Sequence, residues 1–187
     1  KLFIKYRNPL TISTKSNLIL RDIDLYSQLA RLTHVNVSVT VTTPDESIRQ
    51  KIEPFASDSA SRFAVLKAFA EAGVHTGLHI MPIIPFVTDE TSQLETLFQK
   101  ACQSGVDYLL TGKLYLRGKT RPRFISFMRD QFPDLIQPFT RVYHHEASRL
   151  NYITQLNNKI KYLRNKYPIN GTYQPPNPEI HGQLSLF

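Results

Sequence analysis

At 187 residues the chain is long enough for one mid-sized domain, and 41% hydrophobic with 20% charged residues is the make-up of a folded protein rather than a disordered one. Twenty-three lysines and arginines against 15 acidic residues give a net charge of +8, which points to a polyanionic partner without saying which. The single cysteine, Cys102, excludes an internal disulfide framework, a thiolate zinc site and an iron–sulfur cluster held wholly by this chain.

No apolar run approaches the roughly 18 residues of a membrane span, and no signal peptide precedes the first strand; the expected compartment is the cytoplasm. The chain opens Lys1-Leu2-Phe3 without an initiator methionine and enters a structured pattern almost at once, so it is expected to be a piece of something longer.

In chain order, the first two thirds alternate strand-like runs with amphipathic stretches, the pattern of parallel strands joined by right-handed crossovers. Leu10 to Thr14 reads as a strand, followed by a helix from about Asp22 to Thr33. Val35 to Thr42 is the second strand. A short helix opened by Thr43-Pro44-Asp45 follows, then a longer one over Asp58 to Ala72, stopped by Gly73. The third strand spans Thr76 to Pro82. A helix from Asp89 to Gln103, ended by Gly105, leads to the fourth, Tyr108 to Leu116. Beyond it the periodicity is helical only, over Pro122 to Gln131, Leu135 to Ser148 and Asn151 to Lys166, and Pro168 to Phe187 reads as an extended, proline-stiffened tail. The expected organisation is residues 1–118 as a partial barrel, 119–167 as a basic helical extension and 168–187 as tail.

Charge divides along the same line. Residues 1–112 carry 11 basic and 11 acidic side chains, whereas 113–187 carry 12 basic and 4 acidic, so 12 − 4 accounts for the whole net charge of +8. The cluster Lys113, Arg117, Lys119, Arg121, Arg123, with Tyr115 among them, follows the last strand, where loops of parallel sheets bind ligands. A solvated helical surface is the plainer reading.

Strands of a parallel sheet covered on both faces should be continuously apolar. Here they alternate: Val35, Val37, Val39 and Val41 on one face of the second strand, Asn36, Ser38, Thr40 and Thr42 on the other. The first strand sets Leu10 and Ile12 against Thr11, Ser13 and Lys15. The fourth sets Leu110, Leu114 and Leu116 against Thr111, Lys113, Tyr115 and Arg117, and the third places Gly77 and His79 opposite Leu78 and Ile80. Helices cover the apolar face, so the polar face is expected to line a wide, wet lumen or to hold a polar ligand; a sheet with one solvated face is the alternative.

Lys15, at the end of the first strand, reads as an anion clamp, as a Schiff-base amine, or as half of a rim salt bridge with Asp22 or Asp24. The Ser38 hydroxyl lies deeper along the next strand. Arg62 opens the following long helix and is placed to approach the same ligand from above, oriented by Glu53 through a bidentate ion pair. His144-His145-Glu146 fan around a helix axis and read as a surface cluster, not a metal site. Cys102 reads as a small buried or half-buried residue.

Tyr6-Arg7-Asn8-Pro9-Leu10-Thr11-Ile12-Ser13-Thr14-Lys15-Ser16, then Arg21-Asp22-Ile23-Asp24-Leu25, Val37-Ser38-Val39-Thr40-Val41-Thr42-Thr43, Glu53-Pro54, Arg62, Glu71-Ala72-Gly73-Val74 and Met81-Pro82-Ile83-Ile84-Pro85 stand in a telling order. As a series over about residues 4–135 they resemble the radical S-adenosylmethionine superfamily, in its DNA repair photolyase-like branch related to spore photoproduct lyase. The resemblance implies an α/β fold: about four βα units of a partial, TIM-type (β/α)6 barrel plus a C-terminal helical extension. It implies that Lys15 approaches the amino-acid moiety of S-adenosylmethionine, that Ser38 and Thr40 line the same pocket, that Arg62 meets the methionyl carboxylate and that the Pro82 to Pro85 loop runs beside the adenine.

This sequence departs from the family in lacking the CxxxCxxC motif that binds the [4Fe–4S] cluster, and Cys102 cannot replace it. In relatives that motif lies upstream of the strand that opens this chain. The expected parent is therefore a lyase-like radical enzyme that cleaves S-adenosylmethionine to a 5′-deoxyadenosyl radical, with this fragment inactive alone. Lys113, Tyr115, Arg117, Lys119, Arg121 and Arg123 are its expected DNA contacts. The final residues, Gln183, Leu184, Leu186 and Phe187, resemble the short motif by which bacterial repair proteins dock on the sliding clamp. Two other readings stand beside this one: an aldolase-like barrel with a Schiff base on Lys15 or Lys113, and a non-catalytic DNA- or clamp-binding module.

Overall fold

A computed structural model describes residues 1–175. Four strands, β1 (Leu10–Thr14), β2 (Val35–Thr40), β3 (His75–Ile83) and β4 (Tyr108–Lys113), form one sheet in the order β1-β2-β3-β4. Every pairing is parallel, with Leu10 opposite Val35, Asn36 opposite His75 and Gly77 opposite Tyr108. The fold is thus α/β with a parallel sheet and surrounding helices, as the alternating pattern predicts.

The crossovers carry α2 (Ile23–Ala30), then α3 (Glu46–Ile52) and α4 (Ser59–Glu71), then α5 (Thr91–Gln103). Their ends are chemically marked. Asp45 accepts from Ser47 N at 2.8 Å and Ile48 N at 3.1 Å to start α3, and Asp58 accepts from Ser61 N at 2.7 Å to start α4. Gly73 (φ 72°) follows α4 in the left-handed region that glycine tolerates.

A short helix, α1 (Leu2–Tyr6), precedes β1 and was not foreseen: five residues are too few for periodicity to show. After β4 come α6 (Thr120–Gln131), α7 (Ile136–His144) and α8 (Glu146–Lys166). His145, with extended backbone (φ −116°, ψ 122°), separates α7 from α8, so His144, His145 and Glu146 span a helix break on the surface.

Two apolar clusters hold these parts. On the valine face, Val35, Val37, Val39, Leu78, Ile80 and Leu109 pack under Phe63, Leu66 and Phe69 of α4, Leu94, Leu97 and Phe98 of α5, and Leu156 and Leu163 of α8. Burying each such side chain contributes about 1.5–3 kcal/mol. The second cluster lies at the C-terminal end of the sheet, where Ile84 and Val87 meet Met128 of α6 and Phe139 of α7, flanked by Ile48, Ile52, Phe124 and Phe127. Among the described residues no helix is long and apolar enough to cross a membrane. Cys102, expected to be buried or half-buried, is exposed on α5.

The expected phase of β4 is corrected. Leu110 pairs with His79 and Thr111 with Ile80, which puts Thr111 on the valine face and Leu110 on the face of Ser38. The strand also stops at Lys113, which pairs with Ile83 beyond an irregularity between Ile80 and Ile83. Leu114 and Leu116 continue the apolar spacing but lie past the strand in a loop and carry no strand phase.

Candidate functional site

The polar face of the sheet has two halves. At the N-terminal end, Tyr108 turns its ring across β3, possible only because position 77 is glycine: a Cβ there would lie 2.1 Å from the Tyr108 ring. The Tyr108 hydroxyl accepts from Asn36 Nδ2 at 3.0 Å and lies 3.4 Å from His79 Nε2, while Asn36 Oδ1 is 3.0 Å from His75 Nδ1. Tyr173 packs against Tyr108, ring centroids 5.2 Å apart, with its hydroxyl 2.8 Å from His34 Nε2 and 3.4 Å from Thr11 Oγ1. Its segment is pinned to the β4 edge, where Leu109 N donates to Asn170 O at 2.8 Å. Burial holds His79 below the ordinary histidine value. Burial also pushes the Tyr108 phenol up, against the opposing hydrogen bond from Asn36.

Ser38 is fully buried here; its hydroxyl donates to Ile12 O at 3.1 Å and lies 2.6 Å from Ser13 Oγ. This half is not the wide, wet lumen expected from the alternation. The hydroxyls and amides satisfy one another beneath two tyrosine rings, which the single-strand pattern of β2 could not reveal because the covering residues lie 72 and more positions away.

At the C-terminal end the arrangement changes. Glu53, just past α3, is half-buried and bridges two cations: its Oε1 is 2.9 Å from Lys15 Nζ and its Oε2 is 2.6 Å from Arg62 Nη1. Arg62 is 0% exposed and does not approach from above as expected. It donates through Nε to Ser57 O at 2.7 Å and through Nη1 to Thr40 O at 2.8 Å, so it fastens the start of α4 to the end of β2. Its pairing with Glu53 uses one nitrogen, not the two of a bidentate pair. Lys15 pairs with Glu53 rather than Asp22, which Arg21 holds, or Asp24. Burial pushes the Glu53 carboxyl up, but Lys15 and Arg62 outweigh it and hold the group below the ordinary glutamate value.

Lys15 and Glu53 border a cleft of about 340 Å³ whose other lining residues are Thr42, Ile52, Pro82, Ile84, Phe124 and Phe127. Thr42 Oγ1 is buried and has no hydrogen-bond partner among the described residues, and neither has Arg62 Nη2. A buried hydroxyl without a partner costs about 1–3 kcal/mol, so the cleft wall offers unspent hydrogen bonding beside a carboxylate and an ammonium. Of the expected cofactor side chains Lys15, Ser38, Thr40 and Arg62, the structure brings only Lys15 into this wall, together with Pro82 and Ile84 of the loop expected beside the adenine. Thr40 is buried on the polar face and serves Arg62 through its carbonyl, and Ser38 lies deeper and is engaged. Thr42, Phe124 and Phe127 were missed; the three-residue spacing of the phenylalanines was legible as one helix face, but not what it faces.

Lys113, Tyr115, Arg117, Lys119 and Arg123 are exposed between β4 and the first turn of α6. Arg121 is half-buried and donates to Tyr143 O, which fixes α6 against α7. Gln183, Leu184, Leu186 and Phe187 lie outside the described residues. Among the described residues no group of three or more His, Cys, Asp or Glu side chains is placed to hold a metal ion.

No protein-family model matches the chain. Uncharacterized proteins of Mycobacterium tuberculosis and Mycobacterium bovis are each 27% identical to it over 177 residues, 94% of this chain and 52% of theirs. An uncharacterized protein of Methanocaldococcus jannaschii is 35% identical over 86 residues, 46% of this chain and 32% of its own. The chain thus spans about half the length of the mycobacterial relatives it matches. Among solved structures, spore photoproduct lyase complexed with dinucleoside spore photoproduct is similar with a TM-score of 0.48 at 18% identity, covering 67% of this chain and 35% of that one.

Proposed function

We propose that this chain supplies the later βα units of a partial (β/α) barrel in a radical S-adenosylmethionine enzyme of the photoproduct-lyase-like branch, and that its cleft seats the amino-acid end of S-adenosylmethionine. The observation that carries the reading is the half-buried Glu53 between Lys15 and Arg62, beside the unpartnered Thr42 hydroxyl. A zwitterionic amino acid needs a cation for its carboxylate and an anion for its ammonium within a few ångströms, and Lys15 with Glu53 provides that pair. Thr42 adds a neutral donor and acceptor, and Ile52, Pro82, Ile84, Phe124 and Phe127 add an apolar wall of the kind a nucleoside packs against. Arg62 acts as a positioning residue that fixes the Glu53 carboxylate.

With a reduced [4Fe–4S] cluster, S-adenosylmethionine held by Lys15, Glu53 and Thr42 would supply one-electron, hydrogen-abstracting chemistry. One exposed cysteine does not make the thiolate set of such a cluster, so this reading assigns the cluster ligands to a part of the enzyme outside this sequence. Nucleic acid is the proposed substrate class, met by the cations after β4. The bacterial sliding clamp is the proposed partner of Gln183, Leu184, Leu186 and Phe187, and deleting residues 183–187 is expected to abolish clamp binding in a pull-down with purified clamp.

A Schiff-base role finds no support: Lys15 is held by a carboxylate, which favours its charged form, and Lys113 is exposed and is not among the residues lining the cleft. Titration calorimetry with S-adenosylhomocysteine tests the cofactor site. Saturable binding to the wild-type chain that weakens at least ten-fold in Lys15→Ala is expected. Binding that is absent, or indifferent to that substitution, refutes the site. A full-length enzyme reconstituted anaerobically with iron and sulfide is expected to release 5′-deoxyadenosine.

A further inference from the structure

The cleft leaves the surface after β4 unexplained. From Tyr108 to Arg129 the chain has no acidic residue and six cations: Lys113, Arg117, Lys119, Arg121, Arg123 and Arg129. None of the ion pairs among the described residues involves any of them. Within this run Tyr115 is 61% exposed, and the Arg117 guanidinium carbon lies 4.7 Å from its ring centroid. An arginine over a tyrosine ring that is mostly exposed backs the ring and leaves ring surface open to a second partner. The same helix that begins here lines the cleft through Phe124 and Phe127. Across the sheet, Phe55 is fully exposed on a loop tied to the end of β1, where Ser57 N donates to Lys15 O at 3.1 Å.

Phosphates alone would be served by cations alone. An acidic protein segment would also neutralise them, but gives a half-sandwiched aromatic ring nothing flat to stack on. Aromatic faces interleaved with unpaired cations match a strand whose bases are unstacked, because in a duplex each base already stacks on its neighbours and offers no face. We propose that Tyr115, backed by Arg117, stacks an unpaired base of a nucleic-acid strand whose phosphates meet Lys113, Lys119 and Arg123. This deepens the nucleic-acid part of the reading above and does not require the cofactor cleft to be occupied.

The test is titration of single-stranded DNA carrying one 2-aminopurine, and of the same sequence as a duplex, into the chain at two salt concentrations. The stacked reading predicts a change in 2-aminopurine fluorescence on binding and tighter binding of the single strand. It predicts roughly ten-fold weaker binding by Tyr115→Ala with near-normal binding by Tyr115→Phe, a stacking contribution of the usual size. Tyr115 is exposed, so truncation is not expected to disturb the fold, and an unchanged thermal melt verifies this. Equal affinity for duplex and single strand, an unaffected Tyr115→Ala, or equal affinity for polyglutamate overturns the proposal. S-adenosylhomocysteine binding, measured on the wild-type chain in parallel, is read independently, so failure of one reading is distinguishable from failure of the other.

Discussion

The two ends of the sheet's polar face are built from similar groups, yet they spend their hydrogen bonds differently. At the N-terminal end Asn36, Ser38, His75, His79 and Tyr108 satisfy one another under Tyr173, and no ligand is needed to complete them. At the C-terminal end a carboxylate is shared between two cations, while a threonine hydroxyl and a guanidinium nitrogen have no partner among the described residues. A closed network serves the fold; an open one beside a cleft leaves hydrogen-bonding groups over for a ligand.

The largest expected effect follows from breaking the charged end. Glu53→Gln leaves Arg62 as a fully buried charge without its carboxylate, and removing one member of such a pair costs about 3–5 kcal/mol; urea denaturation reads this as a lower midpoint with an unchanged slope. Next is the closed end. Gly77→Ala forces a methyl group into the Tyr108 ring, and overpacking of this kind costs about 1–3 kcal/mol. A Tm equal to the wild-type value would mean that the ring does not lie across β3.

Acid sharpens the contrast. The folded-state pKa of Glu53 lies below its unfolded value near ~4.3, so its contribution to stability is present above that value and is lost as pH falls through the folded pKa. The loss is expected to be shallower in Lys15→Ala, which removes one of the two cations that hold the pKa down; urea midpoints measured from pH 6 to pH 3 check this. Smallest is the stability cost of Lys15→Ala at neutral pH. Its side chain is 45% exposed and the Glu53–Arg62 contact survives, so about 1 kcal/mol or less is expected.

The alternation of β1 and β2, the helix starts at Asp45 and Asp58 and the helix stop at Gly73 were legible because they are local: a side chain's face and a helix's start depend on near neighbours. The phase of β4 was not, because the leucines beyond Lys113 continue the apolar spacing without continuing the strand. Lys15 was legible as a cation at a strand end and Glu53 as the partner of Arg62. The contact of Lys15 with Glu53 was not, since Lys15 had nearer acids in sequence and only the α3–α4 loop brings Glu53 to it. The covering of Ser38 was hidden for the same reason, resting on a glycine that makes room for a tyrosine on the next strand.

The most direct test of the central claim is residue-by-residue chemical-shift mapping of the chain with S-adenosylhomocysteine. Shifts at Lys15, Thr42, Ile52, Glu53 and Ile84, with Thr11, Asn36 and Tyr173 unmoved, are predicted. Shifts confined to Thr11, Asn36 and Tyr173, or none anywhere at millimolar ligand, would contradict it.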